Sequence, residues 1–288
     1  MSLSFDYVSL LTPHERTIQS LADKLAGEIR GLGYVIHPII ADRRKHLIID
    51  GTHRLAALKR LNLRLAPVYD IDYFSGDVRL ETWARLIHEP VKAEEVLDEG
   101  ERLGLNVVKL SVRDLDLGMW MRGYSIVIIT GGEVLEFRAG RVGLDILMRL
   151  VDRLDEKFKG SGLEYVPEER ILHLIQEGSL ESGYLIPRLE KEDVLDMAVR
   201  GILLPPKTTR HTVKNRPMYI FCPLDLLNHS IEEAEQEMRA WLRESRKLNL
   251  PGKTWLDRYY EEPVTVYFFE KFRGYYPAHL LERGLLGS

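Results

Sequence analysis

The sequence predicts an α+β protein: an N-terminal α/β unit over residues 1–92, then a second α+β domain over 93–288. Three observations carry this. Over the first 75 residues, short β-branched apolar runs alternate with amphipathic helical patterns. The charged stretch EPVKAEEVLDEGE, from residue 89, follows as the expected boundary. Beyond it, a hairpin-like pair of apolar runs sits among separate amphipathic segments, so helices and strands segregate rather than alternate strictly.

In chain order, TIQSLADKLAGEIRGLG carries Ile18, Leu21, Leu25 and Ile29 at helical spacing and ends in Gly31 and Gly33, a helix with its stop. YVIHPIIAD and KHLIID are short, branched and apolar, hence strands. RLAALKRLNL is a short amphipathic helix, and LAPVYDIDYF a further strand. RLETWARLIHEPVKAEEVLDEGERLG reads as mainly helical. YSIVIITGGEVLEFRAG is a hairpin split by Gly131-Gly132. LDILMRLVDRLDEKF is an amphipathic helix, and EERILHLIQEG is helix or strand. EKEDVLDMAVRGILLPP is a helix stopped by Gly201, followed by a short strand. MYIFCPLDLL and EPVTVYFFEKF are strands, and IEEAEQEMRAWLRESRKLNL is a strongly charged helix.

Composition narrows the function classes. With 288 residues, 45% apolar and 29% charged, the chain is globular and long enough for a sizeable core. A net charge of −4 counts against non-specific wrapping of nucleic acid. Cys222 is the only cysteine, which rules out an internal disulfide and speaks against a thiolate metal cluster. No apolar run approaches bilayer length, and the opening MSLSFDYVSLLTPHER lacks the basic segment and apolar core of a signal peptide, so the expected compartment is the cytoplasm, with no membrane partner. Five Asn and three Gln beside abundant Arg and Glu lean towards a thermophilic source.

Three stretches carry chemistry. In IIDGTHRLAALKRL, a strand ends at Asp50 and a helix begins after Gly51-Thr52-His53-Arg54. A helix N-terminus offers unpaired N–H groups and the positive end of the dipole, so phosphate binds there. Gly51 lets an anion approach the backbone, Arg54 adds a bidentate contact, and His53 a further hydrogen bond. Asp50 would repel phosphate unless a cation such as Mg²⁺ lies between them, or unless it handles a proton. The competing reading is an ordinary capped turn, with Asp50 or Thr52 as cap. In LLTPHERTIQSL, Glu15 is either a loop carboxylate or half of a capping box, Thr12-x-x-Glu15, with Pro13 at the first helical position. In LLPPKTTRHTVKNRPMY, two prolines are followed by Lys207, Thr208, Thr209, Arg210 and His211, donors suited to a carboxylate or phosphate, or else a solvated basic loop.

IIDGTHRLAALKRL resembles the signature of the ParB/sulfiredoxin superfamily, in which a strand–turn–helix binds nucleotide phosphates. Thr52 stands where sulfiredoxins carry their cysteine, which removes that chemistry, and no helix-turn-helix of the partition proteins follows. The branch that fits is the free serine kinases. That resemblance extends over residues 5–230, through His14-Glu15, the Asp50 turn and the loop at residue 210, and leaves 232–288 without a counterpart. It implies phosphorylation of L-serine to O-phospho-L-serine, feeding cysteine synthesis, with Mg²⁺ and an adenine nucleotide, ADP before ATP. It also implies Glu15 as general base or hydroxyl-positioning carboxylate, with Asp50 as second catalytic residue and metal ligand. Gly51, Thr52, His53 and Arg54 would lie on the phosphates. Trp83 would wall the serine pocket, and Thr208, Thr209, Arg210 and His211 would contact the substrate. The alternatives are a ParB-like nucleotide-dependent DNA-binding or nuclease-like protein, and a nucleotide sensor without turnover. The acidic balance counts against the first, and Glu15 with the 207–211 loop against the second.

Overall fold

The computed structural model describes residues 2–282. In chain order, the first seven elements are β1 (Ser2–Tyr7), α1 (Gln19–Leu32), β2 (Tyr34–Val35), β3 (Ile39–Asp42), β4 (Ile48–Asp50), α2 (Thr52–Arg60) and β5 (Leu65–Ile71). Four of the strands form a mixed sheet in the order β1-β5-β3-β4, antiparallel except between β3 and β5, where Ile39 faces Val68. α1 packs on α2. Its buried residues are Ala22, Ala26 and Ile29, while Ile18 and Leu21 are exposed. Ala22 and Ala26 with Ile29, rather than Ile18 and Leu21, therefore define the inner face, and the small alanines let two helices approach closely. Gly33 ends α1 in the left-handed conformation (φ 80°), as its position in the sequence implies.

The chain then builds a second unit from β6 (Val78–Ile87), α3 (Ala93–Arg102), β7 (Val107–Ser111), α4 (Leu117–Arg122), β8 (Ser125–Thr130), β9 (Glu133–Arg138), α5 (Leu144–Phe158), β10 (Leu163–Pro167), α6 (Glu168–Glu177), β11 (Ser182–Leu185) and α7 (Lys191–Val199). Six of the seven strands in its sheet run β10-β6-β11-β8-β9-β7, every neighbouring pair antiparallel, and the seventh pairs with β6 off this path. The β8–β9 hairpin turns at Gly131 and Gly132, both at positive φ (56° and 81°), the conformation a two-residue turn of this kind demands. α5 buries Leu147, Leu150, Val151 and Leu154 along one stripe. Each such side chain contributes about 1.5–3 kcal/mol.

After β12 (Thr209–Val213) come β13 (Arg216–Met218), β14 (Cys222–Pro223), α8 (Ile231–Arg243), β15 (Arg246–Leu250), β16 (Thr254–Trp255), β17 (Tyr259–Tyr260), β18 (Val264–Phe268) and α9 (Ala278–Glu282). From His211 onward this segment belongs to the first unit: the two compact units are residues 1–79 with 211–288, and residues 80–210. A single cut at residues 92–93 is therefore replaced by an insertion. The returning chain supplies Ile220, Cys222, Leu226 and Met238 to the core that holds Ile39, Ile48 and Leu58. Tyr219 and Phe221 enter a second, aromatic core with Phe268, Phe269 and Phe272. Alternate residues thus feed opposite cores, and the run that reads as one strand is broken by positive φ at Tyr219 and Phe221.

Two further readings change. RLETWARLI is the strand β6 rather than a helix: Thr82 and Ala84 alternate inward on one face, while Arg85 is buried on the other through an ion pair that no local pattern reveals. The charged helix stops at Arg243, and Arg246–Leu250 pairs as a strand with β18. Among the described residues, no helix is long and apolar enough to cross a membrane.

Candidate active site

The first unit holds Glu15, the Asp50–Arg54 turn and His211; the second holds Trp83, Thr208, Thr209 and Arg210. β4 ends at Asp50, and Gly51, at φ 112°, serves as the N-cap of α2. α2 has no side-chain cap and no acidic residue in its first turn. Its leading N–H groups and dipole therefore present positive potential that no local carboxylate in the helix cancels.

Asp50 is the hub of this turn. Its Oδ1 accepts from Arg54 Nη2 at 3.1 Å, its Oδ2 accepts from Arg216 Nη1 at 2.6 Å, and Arg258 Nη2 lies 3.6 Å from Oδ2. Burial alone would raise the Asp50 carboxyl, but Arg54, Arg216 and Arg258 together hold it well below the usual carboxylate range. Such a group is a weak proton acceptor. It also does not suit a metal: a cation at Asp50 would face the guanidiniums already bound there. Among the described residues, no group of three or more His, Cys, Asp or Glu is arranged to hold a metal ion. The expected Mg²⁺ on Asp50 thus does not fit; the carboxylate is instead occupied by Arg54 and Arg216, with Arg258 beside them. Arg54 is also fixed by Nη1 donating to Pro38 O at 2.7 Å. His53, expected to donate to phosphate, has its Nε2 committed to the Ile18 N–H at 3.2 Å, tying the turn to the start of α1.

A cavity of about 280 Å³ opens against Asp50, Arg54, Arg216, Arg258 and Tyr260, and a second, of about 480 Å³, is lined by Leu25, Ile29, Tyr34, Val35 and Ile36. His37 and Arg54 border both. A charged cavity adjoining a mainly aliphatic and aromatic one suits a ligand with an anionic end and a planar apolar end. His37, in the stretch YVIHPIIAD, accepts the Tyr219 N–H on Nδ1 at 3.0 Å; burial first, and Arg54 second, lower its pKa to about 4. It is neutral at neutral pH.

Glu15 is not part of a capping box. Thr12 forms a bridge to Leu47, with Thr12 N donating to His46 O and Ile48 N to Thr12 O, both at 2.9 Å. α1 begins seven positions later, with Ile18 as N-cap. The 12–15 segment is thereby stitched alongside the strand that ends in Asp50. Buried His14 adds a contact of 2.6 Å between its Nδ1 and Ile48 O, and its ring meets that of His211 edge-on at 5.2 Å. His211 Nε2 lies 2.9 Å from the Tyr73 hydroxyl.

In the second unit, Trp83 on β6 is half-buried with Lys207 Nζ at 5.4 Å and Arg210 Cζ at 5.6 Å from its ring centroid. Arg210 Nη1 reaches Glu81 Oε2 at 2.5 Å. Thr208 is buried and its hydroxyl donates to Pro205 O at 2.8 Å, which braces the loop. Thr209 is also buried. Arg216, Arg258 and Glu81 are members of these clusters that sequence reasoning does not single out. Only the basic run KNRPMY hints at Arg216, and nothing local marks the others.

A strand, a glycine turn, an uncapped helix start and converging guanidiniums make an anion-suited turn in an α+β protein. No protein-family model matches the chain. The ATP-dependent L-serine kinase of Desulfurococcus mucosus is 33% identical over 228 residues, covering 76% of this chain and 89% of that protein. The ADP-dependent L-serine kinase SerK of Thermococcus kodakarensis is 25% identical over 230 residues, covering 77% and 93%. A free serine kinase variant in complex with ADP shares the fold, with a TM-score of 0.64 at 22% identity over 79% of this chain and 94% of that one. The chain belongs to the L-serine kinase family.

Proposed function

We propose that this protein phosphorylates free L-serine to O-phospho-L-serine, with an adenine nucleotide as donor. The observation that carries the reading is the Asp50-Gly51 turn: a glycine-capped helix start beside Arg54 and Arg216, in a chain one-third identical to a named L-serine kinase.

In this reading the α2 N–H groups, Arg54 and Arg216 hold the donor phosphates, and the aliphatic and aromatic cavity beside His37 takes the base. The serine Oγ attacks the terminal phosphorus in line, the bond to the bridging oxygen breaks, and the shortened nucleotide leaves. Glu15 receives the hydroxyl proton or orients the hydroxyl for attack. With so little covalent work required of the protein, positioning and charge neutralisation supply most of the rate. Arg210 and Lys207 suit the serine carboxylate, and Trp83 excludes water at their side. Asp50 is assigned to orientation of the arginines and no step is routed through a metal.

The donor is ADP or ATP. Relatives named for each exist, the ATP-dependent one at 33% identity and the ADP-dependent one at 25%. The test is incubation of the protein with L-serine and Mg²⁺ and either nucleotide, followed by detection of phosphoserine. Product from one or both supports the reading. No product from either, over a temperature series, overturns it. A DNA-binding role has less behind it, because the converging arginines surround a carboxylate in a cavity rather than form an exposed stripe.

A further inference from the structure

We propose that Arg85, a fully buried arginine with no part in the chemistry described above, is a positioning residue that holds Trp83 and the 205–210 loop in register. Resting on the serine kinase reading, this assigns it an effect on the amino-acid side of the reaction.

The geometry is specific. Arg85 Nε donates to Asp155 Oδ1 at 3.0 Å and Nη2 to Asp155 Oδ2 at 2.8 Å, a two-point pair with a carboxylate on α5. The Tyr184 hydroxyl adds a bond to Asp155 Oδ1 at 2.5 Å. The remaining nitrogen faces the other way: Nη1 donates to Trp83 O at 2.9 Å and to Lys207 O at 3.1 Å. One rigid, planar group therefore joins the helix α5, the strand residue that carries the indole, and the loop residue whose ammonium lies over that indole. Trp83 and Arg85 are two apart on β6, so both project from the same face of the sheet.

A core ion pair needs only the Asp155 half of this arrangement. A guanidinium is required because its fork serves a carboxylate on one edge and two backbone carbonyls on the other, which an ammonium cannot do in one plane. Lys207 has a positive φ (61°), so its carbonyl sits in a backbone conformation that needs support. Arg85 supplies that support from below, while Glu81 fixes Arg210 from the side.

The test compares Arg85→Lys with Trp120→Phe. Trp120 is buried in the same unit, donates to Ile186 O at 3.2 Å, and lies outside the Arg85 cluster, so its replacement reports the effect of destabilisation alone. Phosphoserine formation is measured against serine and against nucleotide, at a temperature where both variants are folded. Arg85→Lys is expected to raise KM for serine roughly 10-fold or more, with KM for nucleotide within about 2-fold of wild type. Trp120→Phe is expected to change neither KM. Equal changes in both constants, or equal behaviour of the two variants, would overturn the proposal. A second readout needs no activity: amide hydrogen exchange of the folded chain. In Arg85→Lys, peptides covering 203–211 are expected to exchange faster while those of α3 stay protected. Unchanged exchange there would also overturn it. If the wild type makes no phosphoserine, the functional reading falls, and the exchange measurement still decides whether Arg85 holds the loop.

Discussion

Arg216 Nη1 donates to Asp50 Oδ2 at 2.6 Å, although 166 positions separate the two residues. The chain leaves the first unit after Arg79, builds the second, and returns at His211 in time to place this guanidinium against the turn. Asp50 is thereby converted from a candidate base into an electrostatic hub. Its carboxyl is held well below the usual range, so it binds fewer protons folded than unfolded. The stability it supplies is complete above the unfolded value of about 3.9 and is lost as pH falls below it towards the lower folded value. Asp50→Asn is expected to cost about 1–3 kcal/mol at pH 7, reduced from the fully buried case because the side chain is partly exposed. The difference from wild type in urea midpoint should shrink as pH drops from 6 to below 3. A constant difference across that range would show that the arginines do not hold Asp50 ionised.

His37 gives a second pH window, at higher pH. Its folded pKa is lowered to about 4, so the folded protein favours the neutral ring. The sign is that of a depressed group: stability is complete above the unfolded value of about 6.5 and declines as pH falls from there to about 4. The decline is expected to be on the order of 1–3 kcal/mol. His37→Gln, which keeps an acceptor for the Tyr219 N–H, should flatten stability between pH 6.5 and 4. A wild-type slope in that variant would move the effect to another histidine.

Gly51 is the glycine whose replacement should matter most. At φ 112°, a Cβ there would stand 3.0 Å from Arg54 Nε and 3.2 Å from Ile39 Cγ1. Gly51→Ala is expected to cost about 1–3 kcal/mol of stability and to raise KM for nucleotide about 10-fold or more, because Arg54 must move. Gly27, exposed inside α1 with nothing within 4 Å of its would-be Cβ, is the control. Gly27→Ala should be neutral or stabilising by about 0.5–1 kcal/mol, with unchanged kinetics. Similar losses in both variants would remove the special role of the turn.

The turn was legible in the sequence because strand, glycine and helix start are adjacent, so residues 50–54 state their own geometry. The same holds for the Gly131-Gly132 hairpin and the α5 stripe. What local pattern does not contain is pairing over distance. Arg85 reads as a charge in a helical surface until Asp155 is seen to bury it. The break at Tyr219 and Phe221 follows from two cores competing for alternate side chains, which no periodicity expresses. The domain boundary failed for the same reason: the chain from His211 returns to a core begun by Phe5 and Ile39, and composition carries no record of that return.

Substrate choice tests the Trp83 side. Arg210 is held by Glu81 and overlies the indole with Lys207, so the cationic groups that suit a carboxylate have fixed positions. Serine is expected to be turned over in preference to threonine, whose extra methyl is worth roughly 10–200-fold in a tight pocket, and to homoserine, whose hydroxyl lies one bond too far. Competition assays with the three amino acids measure this. Equal kcat/KM for all three would show that the hydroxyl is not held against a fixed carboxylate site.

Glu15 is where a helix cap and a catalyst make opposite predictions. The structure has already removed the cap: Thr12 is bridged to Leu47, α1 starts at Gln19, and no side chain caps it. Glu15 is only partly exposed, but Glu15→Gln keeps the length and shape of the side chain, so the melting temperature is expected to move by no more than a loss of about 1 kcal/mol would give. If Glu15 receives the serine proton or orients the hydroxyl, the amide, which cannot accept that proton, should lower kcat by roughly 10²–10⁴-fold. Nucleotide affinity should stay near wild type, because the groups assigned to the phosphates are Arg54, Arg216 and the α2 N–H groups. The measurement is paired on one sample: thermal melting, nucleotide titration and phosphoserine formation. A wild-type rate would remove Glu15 from the mechanism. Asp50 could not take its place, since a carboxylate held ionised by its arginines has little affinity for the proton that must be removed.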